Sequence, residues 1–121
     1  MPLDYNFEYD GDLLIITTSG FDDSVDEAVS YGEDIIRHCL EGKCTKILMD
    51  ERQVSAVLDR VEQYQMVQRL ASMVPYQLSI ALLSAIDHLQ DTSFGTLVAE
   101  NRGIKIKVFT SKDNALMWLQ Q

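Results

Sequence analysis

The residues best equipped for chemistry fall in two short runs, Asp50-Glu51-Arg52 and Asp87-His88, each following an apolar stretch. A carboxylate beside an imidazole can relay a proton, and a guanidinium can grip an anion with two parallel hydrogen bonds. Asp50, Arg52 and His88 are therefore the set from which a small acid–base enzyme would be built, provided folding brings them together. The plainer reading is a capping Asp, a surface Arg and a partly exposed His. No other catalytic route is visible. The glycines are scattered and form neither a GxGxxG nor a Walker loop, so no phosphate cradle is expected. There is no GxSxG nucleophile elbow, and the HExxH and EF-hand spacings are absent. His38 falls near the end of a helix, where the dipole favours a cation. Cys39 and Cys44 lack the second Cys or His pair of a zinc site. No catalytic residue, metal or cofactor is assigned.

A second group suits binding rather than reaction. Val54-Ser-Ala-Val-Leu58 reads as part of a loop over 51–58 that enters a helix carrying Tyr64, Met66 and Met73. Met-rich surfaces adapt to varied apolar ligands. The alternative is that all of these belong to an ordinary core. Val54, Leu58 and Tyr64 join Asp50, Arg52 and His88 as the candidate cleft.

These residues need a scaffold, and hydrophobic periodicity supplies one. Residues 5–9 alternate aromatic and polar, Asp10-Gly11 marks a tight hairpin, and residues 13–18 return as a second strand. Ser24 and Glu27 have capping-box spacing for a helix with the stripe Ala28, Gly32, Ile35, Ile36, Cys39 and Leu40. Gly42 is placed to end it in a left-handed conformation. Residues 46–50 form an apolar strand. Asp59 and Glu62 cap a helix over 59–74 with the stripe Val61, Tyr64, Val67, Leu70, Ala71 and Val74, stopped by Pro75. Residues 77–84 are a buried strand. Residues 91–101 form a helix with Phe94, Leu97 and Val98 inward, ended by Gly103. Ile104 to Phe109 alternates with lysines, as near a sheet edge. Ser111 caps a last helix burying Ala115 and at least one of Leu116, Trp118 and Leu119. The order is β-β-α-β-α-β-α-β-α. One α/β domain over residues 1–121 follows, with a five-stranded mixed sheet covered by helices. Ligands of such sheets bind beyond the carboxyl ends of parallel strands, which is where Asp50, Arg52 and His88 fall.

Composition narrows the partners. Of 121 residues, 46% are apolar and 24% charged, the balance of a folded soluble domain. The net charge is −9, and residues 1–36 hold ten carboxylates, among them Asp22 and Asp23, with no Lys or Arg. Such a surface repels phosphate backbones, so nucleic acid is excluded as a partner. The first residues, Met1-Pro2-Leu3-Asp4-Tyr5, lack the basic start and apolar stretch of a secretion signal. With two unpaired cysteines, a reduced cytoplasmic setting is expected.

The element order and the tail from Val98 to Leu119 resemble the SpoIIAA-like family, related to STAS domains and to the Sec14/CRAL-TRIO lipid-carrier fold. Asn101-Arg102-Gly103, then a strand with Phe109, then Ala115 and Trp118-Leu119 carry the likeness. Switching members of that family phosphorylate a serine in an Asp-Ser-Ser/Thr-Gly turn that starts the helix after the third strand. The matching stretch here is Val57-Leu58-Asp59-Arg60-Val61, with Arg60 where that serine is expected. The resemblance thus implies a non-enzymatic binding or regulatory module without the phosphoserine switch, acting on a protein partner or through an apolar groove. Its Sec14 side implies a carrier of a small lipophilic molecule with transient membrane contact, residues 54–74 serving as a lid. A small enzyme using Asp50, Arg52 and His88 ranks third, and a sheet edge would permit a homodimer.

Overall fold

A computed structural model of the chain describes residues 3–21, 24–75 and 77–121. Met1, Pro2, Asp22 and Asp23, named above for the missing signal and the acidic segment, lie outside the described residues.

The opening hairpin joins β1 (Leu3–Asp10) to β2 (Leu13–Phe21) in antiparallel register, Asp10 facing Leu13. Gly11 takes a φ of +62°, which a side chain would disfavour, so a two-residue connection is possible here. Then follow α1 (Val25–Glu41), β3 (Lys46–Ala56), α2 (Arg60–Leu70), β4 (Ser79–Ser84), α3 (Leu89–Glu100), β5 (Lys105–Phe109) and α4 (Lys112–Leu119). The strands lie side by side in chain order, and every pair after the hairpin is parallel. Sequential parallel strands joined by right-handed crossovers must carry their connecting helices on one face. Accordingly α1, α2 and α3 share a face, while α4 covers the other.

The pleat sorts the core. Leu14, Ile16, Ile47 and Ile80 point toward α1 and meet Tyr31, Ile35 and Cys39. Their neighbours Leu48, Ala81 and Leu83 point the other way onto Ala115 and Leu119 of α4. Leu14, Ile16, Ile47, Leu48 and Leu83 are fully buried, and each such side chain contributes about 2 kcal/mol by leaving water.

Several expectations need correction. The segment 51–58 is not a loop. Strand β3 runs on to Ala56, because Ser19, Gly20 and Phe21 of β2 keep pairing with Gln53, Val54 and Ala56 across two register shifts. Only residues 57–59 connect it to α2.

The helix expected over 59–74 ends at Leu70 and tightens into a 3-10 turn, Ala71–Met73, before Pro75. Its buried face is also turned from the expected stripe. Val61 is 67% exposed and Tyr64 44%, while Gln63 and Val67 are buried. Gln63 can face inward because its amide donates to the Leu58 carbonyl at 2.8 Å, so no donor is stranded.

Leu97 of α3 and Leu40 of α1, both expected inward, are exposed. α3 also starts earlier than expected, after a 3-10 turn at Ile86–His88. Finally, Gly42 has a φ of −84°, and the left-handed residue is Lys43. Gly42 serves packing instead: a Cβ there would collide with the Tyr9 ring.

Candidate functional site

The carboxyl ends of the parallel strands hold the residues expected to form a cleft, but the pleat divides them. Asp50 shares its side of β3 with Leu48, the side facing α4, and Lys112 at the start of that helix adds to its electrostatic surroundings. Arg52 donates from Nε and a terminal nitrogen to the two Asp50 oxygens at 2.9 and 2.8 Å, and its backbone N–H adds a third bond at 3.2 Å. This grip holds the Asp50 carboxyl below its ordinary pKa, against the opposing effect of burial. His88 stands in the turn after β4. Among the described residues, no hydrogen bond or ion pair joins His88 to Asp50 or Arg52. What this end of the sheet offers is a closed ion pair.

The remaining cleft candidates scatter. Val54 is buried beside β2, and Tyr64 faces outward under the Arg102 guanidinium, 5.0 Å from the ring centre. Leu58 alone of the six lines a partly open cavity.

That cavity, of about 180 Å³, lies between α2 and the sheet. It is spanned by α2, which packs against both α1 and α3 and bridges them. Two glycines bring the bridge close. A Cβ on Gly32 of α1 would meet the Leu70 side chain at 2.5 Å, and one on Gly95 of α3 would meet the Gln63 amide oxygen at 2.6 Å. The floor is Ile47 and Met49 of β3, Ile80 and Leu82 of β4 and Ile106 of β5. Met66, Val67 and Leu70 close it from above.

Its polar lining was not singled out from the sequence. Glu51 and Tyr31 belong to it, and a hydrogen-bond chain ties them to the core. The Tyr31 hydroxyl donates its one proton to Glu51 at 2.9 Å, so Thr18, 2.7 Å from the same oxygen, is the donor to Tyr31. Glu51 was legible in principle. In a strand continued past residue 50, period-two alternation sets it on the face of Ile47 and Met49.

Outside the cavity, α2 and α3 present an uneven surface. Arg60 lies over the Phe94 ring at 5.3 Å, and a terminal nitrogen of Arg102 donates to the Tyr64 hydroxyl at 3.3 Å. Val61 and Leu97 stand beside these pairs, exposed. Asp59 caps α2 by accepting from the Glu62 N–H at 2.8 Å, while Glu62 accepts in return from the Asp59 N–H at 3.2 Å. His38 needs no ligand: it stacks on Phe7 and bonds the Asp34 carbonyl through Nδ1 at 2.9 Å. Both cysteines are free thiols, and among the described residues no cluster suited to a metal ion is found. Among the same residues, no helix is long and apolar enough to cross a membrane.

No protein-family model and no curated protein matches the chain. Its structure does match solved ones. An anti-sigma factor antagonist from Mycobacterium paratuberculosis superposes with a TM-score of 0.69 at 12% identity, covering 98% of this chain and 95% of that one. The anti-sigma factor antagonist SpoIIAA in its unphosphorylated form gives 0.61 at 13% identity, covering 97% and 96%. A Shewanella loihica protein with a SpoIIAA-like fold gives 0.56 at 16% identity, covering 97% and 93%. With strand order, pairing and helix placement all accounted for along nearly its whole length, the chain has the SpoIIAA-like fold of the anti-sigma factor antagonists.

Proposed function

We propose that this chain is a non-enzymatic regulatory module that binds a protein partner through the outer face of α2 and α3. The observation that carries this reading is the exposure of Val61, Tyr64 and Leu97 beside the Arg60 and Arg102 guanidinium groups. Apolar side chains set among Arg–aromatic pairs are the composition of a binding hot spot, and helices in water rarely leave such a face bare. The likeness to anti-sigma factor antagonists supports a protein as the partner, an anti-sigma factor being the first to test. Arg60, at the position where the resemblance places the phosphorylated serine, supports regulation without that switch. A guanidinium engaged with Phe94 presents a fixed positive charge where a phosphate would add a negative one.

The test is retention of partner protein from an extract of the source organism by immobilised chain. A Val61→Glu/Leu97→Glu variant with an unchanged circular dichroism spectrum should lose the retained protein. Equal retention by the variant would refute this surface. Mass analysis of chain isolated from the source organism should show no phosphate at Ser55, the serine nearest that position in sequence.

The cavity favours a second reading, a carrier of a small lipophilic molecule that meets membranes transiently. Its apolar lining beneath a bridging helix offers a small lipophilic molecule a place to leave water. Native mass spectrometry and solvent extraction of freshly purified protein test it. A reproducible small-molecule adduct supports carriage, and consistently empty protein contradicts it.

A further inference from the structure

The two edges of the sheet carry opposite charge on the same face and at matching positions. Strand pairing sets Asp10 of β1 in one row with Leu13, Lys46, Ser79 and, at the far edge, Lys105 of β5. A second row on that face runs from Glu8 through Ile15, Leu48 and Ala81 to Lys107. All four charged residues are exposed and lie on the side covered by α4. On the opposite side, one row joins Tyr9 to Ile106 and the next joins Phe7 to Val108. Among the described residues, none of the four charges is held in an ion pair. An open groove at the β5 edge is lined by Lys105, Lys107 and Trp118, with one acid, Glu100 of α3. Prolines, bulges and charges are the usual guards of a free strand edge. Neither β1 nor β5 has a proline or a register shift, so charge alone guards these two.

We propose that the chain binds a second copy of itself head to tail, the β1 edge of one copy adding to the β5 edge of the next. This contact is separate from the partner face on α2 and α3 and does not depend on it. β1 runs opposite to β5, so a copy displaced along the sheet rows presents its β1 antiparallel to β5 with the same face up. With no slip in register, Asp10 of the second copy then lies beside Lys105 and Glu8 beside Lys107. Unlike charges directly opposite each other stabilise a strand pair. The same step sets Tyr9, 47% exposed in the single chain, beside Ile106. The symmetric alternatives fail on charge. β1 against β1 opposes carboxylates, and β5 against β5 opposes lysines. Because the contact joins two different edges, each copy keeps a free edge of either kind and further copies can add.

Sedimentation equilibrium of the full chain in about 0.1 M salt tests this. A Debye length of about 10 Å then screens the net charge of −9 between copies far more than contacts across neighbouring strands, about 5 Å apart. The mass should rise beyond that of one copy, to two and more, as protein is raised toward about 1 mM. Lys105→Glu/Lys107→Glu and Glu8→Lys/Asp10→Lys, each with an unchanged circular dichroism spectrum, should both stay monomeric. An equimolar mixture of the two variants should associate again, because it restores opposite charges at the contact. Three results would each overturn the proposal: a wild type still monomeric at about 1 mM, variants that associate like wild type, or a mixture that stays monomeric. Should a variant not fold, amide exchange of the wild type decides. Raising its concentration should protect β1 and β5 together, and protection of one edge alone, or of neither, overturns the proposal.

Discussion

Asp50 and Arg52 show how a pair legible in the sequence can have a different use from the one its chemistry suggests. Their types would allow an acid–base set with His88, but two residues apart on one strand they face the same side and satisfy each other. The depressed Asp50 pKa makes their bond a source of stability with a defined pH range. It is present above the ordinary aspartate pKa, about 3.9, and lost as pH falls through the lower folded-state value. Arg52 is partly exposed, so the contribution is about 1 kcal/mol or less. Urea unfolding of Arg52→Ala at pH 7 should show that loss, shrinking toward zero as the pH is taken well below 4. Cys39 gives a second test. Burial pushes its thiol from 9.0 up to about 11. Native protein at pH 8 should therefore leave Cys39 unlabelled by a thiol reagent, and denaturation should expose both cysteines to reaction. Glu51, by contrast, was overlooked because the strand that orients it was cut short at residue 50.

At the scale of elements, the nine α-helices and strands among the described residues are legible in the sequence, but the stretch that matters most is not. Val54 to Ala56 looked like a loop because register shifts break period-two alternation, and only pairing to β2 reveals them as strand. The stripe on α2 was assigned from apolar residues alone, yet a glutamine faces inward and a valine outward. Which face is buried depends on the glycines of α1 and α3, and those contacts lie far apart in sequence. The capping box was the reliable signal, since it depends on four consecutive residues. Asp59→Ala should remove it and cost about 1 kcal/mol in denaturant unfolding. Amide exchange in the first turn of α2 should quicken at the same time, while β4 keeps its protection.

Across the whole molecule, the mixed sheet was readable because a tight hairpin pairs its strands antiparallel and helical crossovers join strands in parallel. The cavity was not. It is lined from α1, α2, α3 and three strands at once, an arrangement no single segment encodes. One sheet face is thus covered by a helix layer with space beneath it, and the other by α4 packed on Leu48, Ala81 and Leu83. The acidic strand β1, with Asp4, Glu8 and Asp10 exposed, lies at one edge of the sheet. α3 lies against β5 at the other edge, where Arg60 and Arg102 supply positive charge over its aromatic neighbours. This separation suits a domain that meets its partner by one face.

The most direct measurement is hydrogen exchange on the chain alone and in complex with the protein it retains. Binding through the outer face of α2 and α3 should protect amides within Arg60–Leu70 and Leu89–Glu100, leaving β1 and α4 unchanged. Protection confined to β1, β2 or α4, with α2 and α3 exchanging as in the free chain, would contradict the assignment.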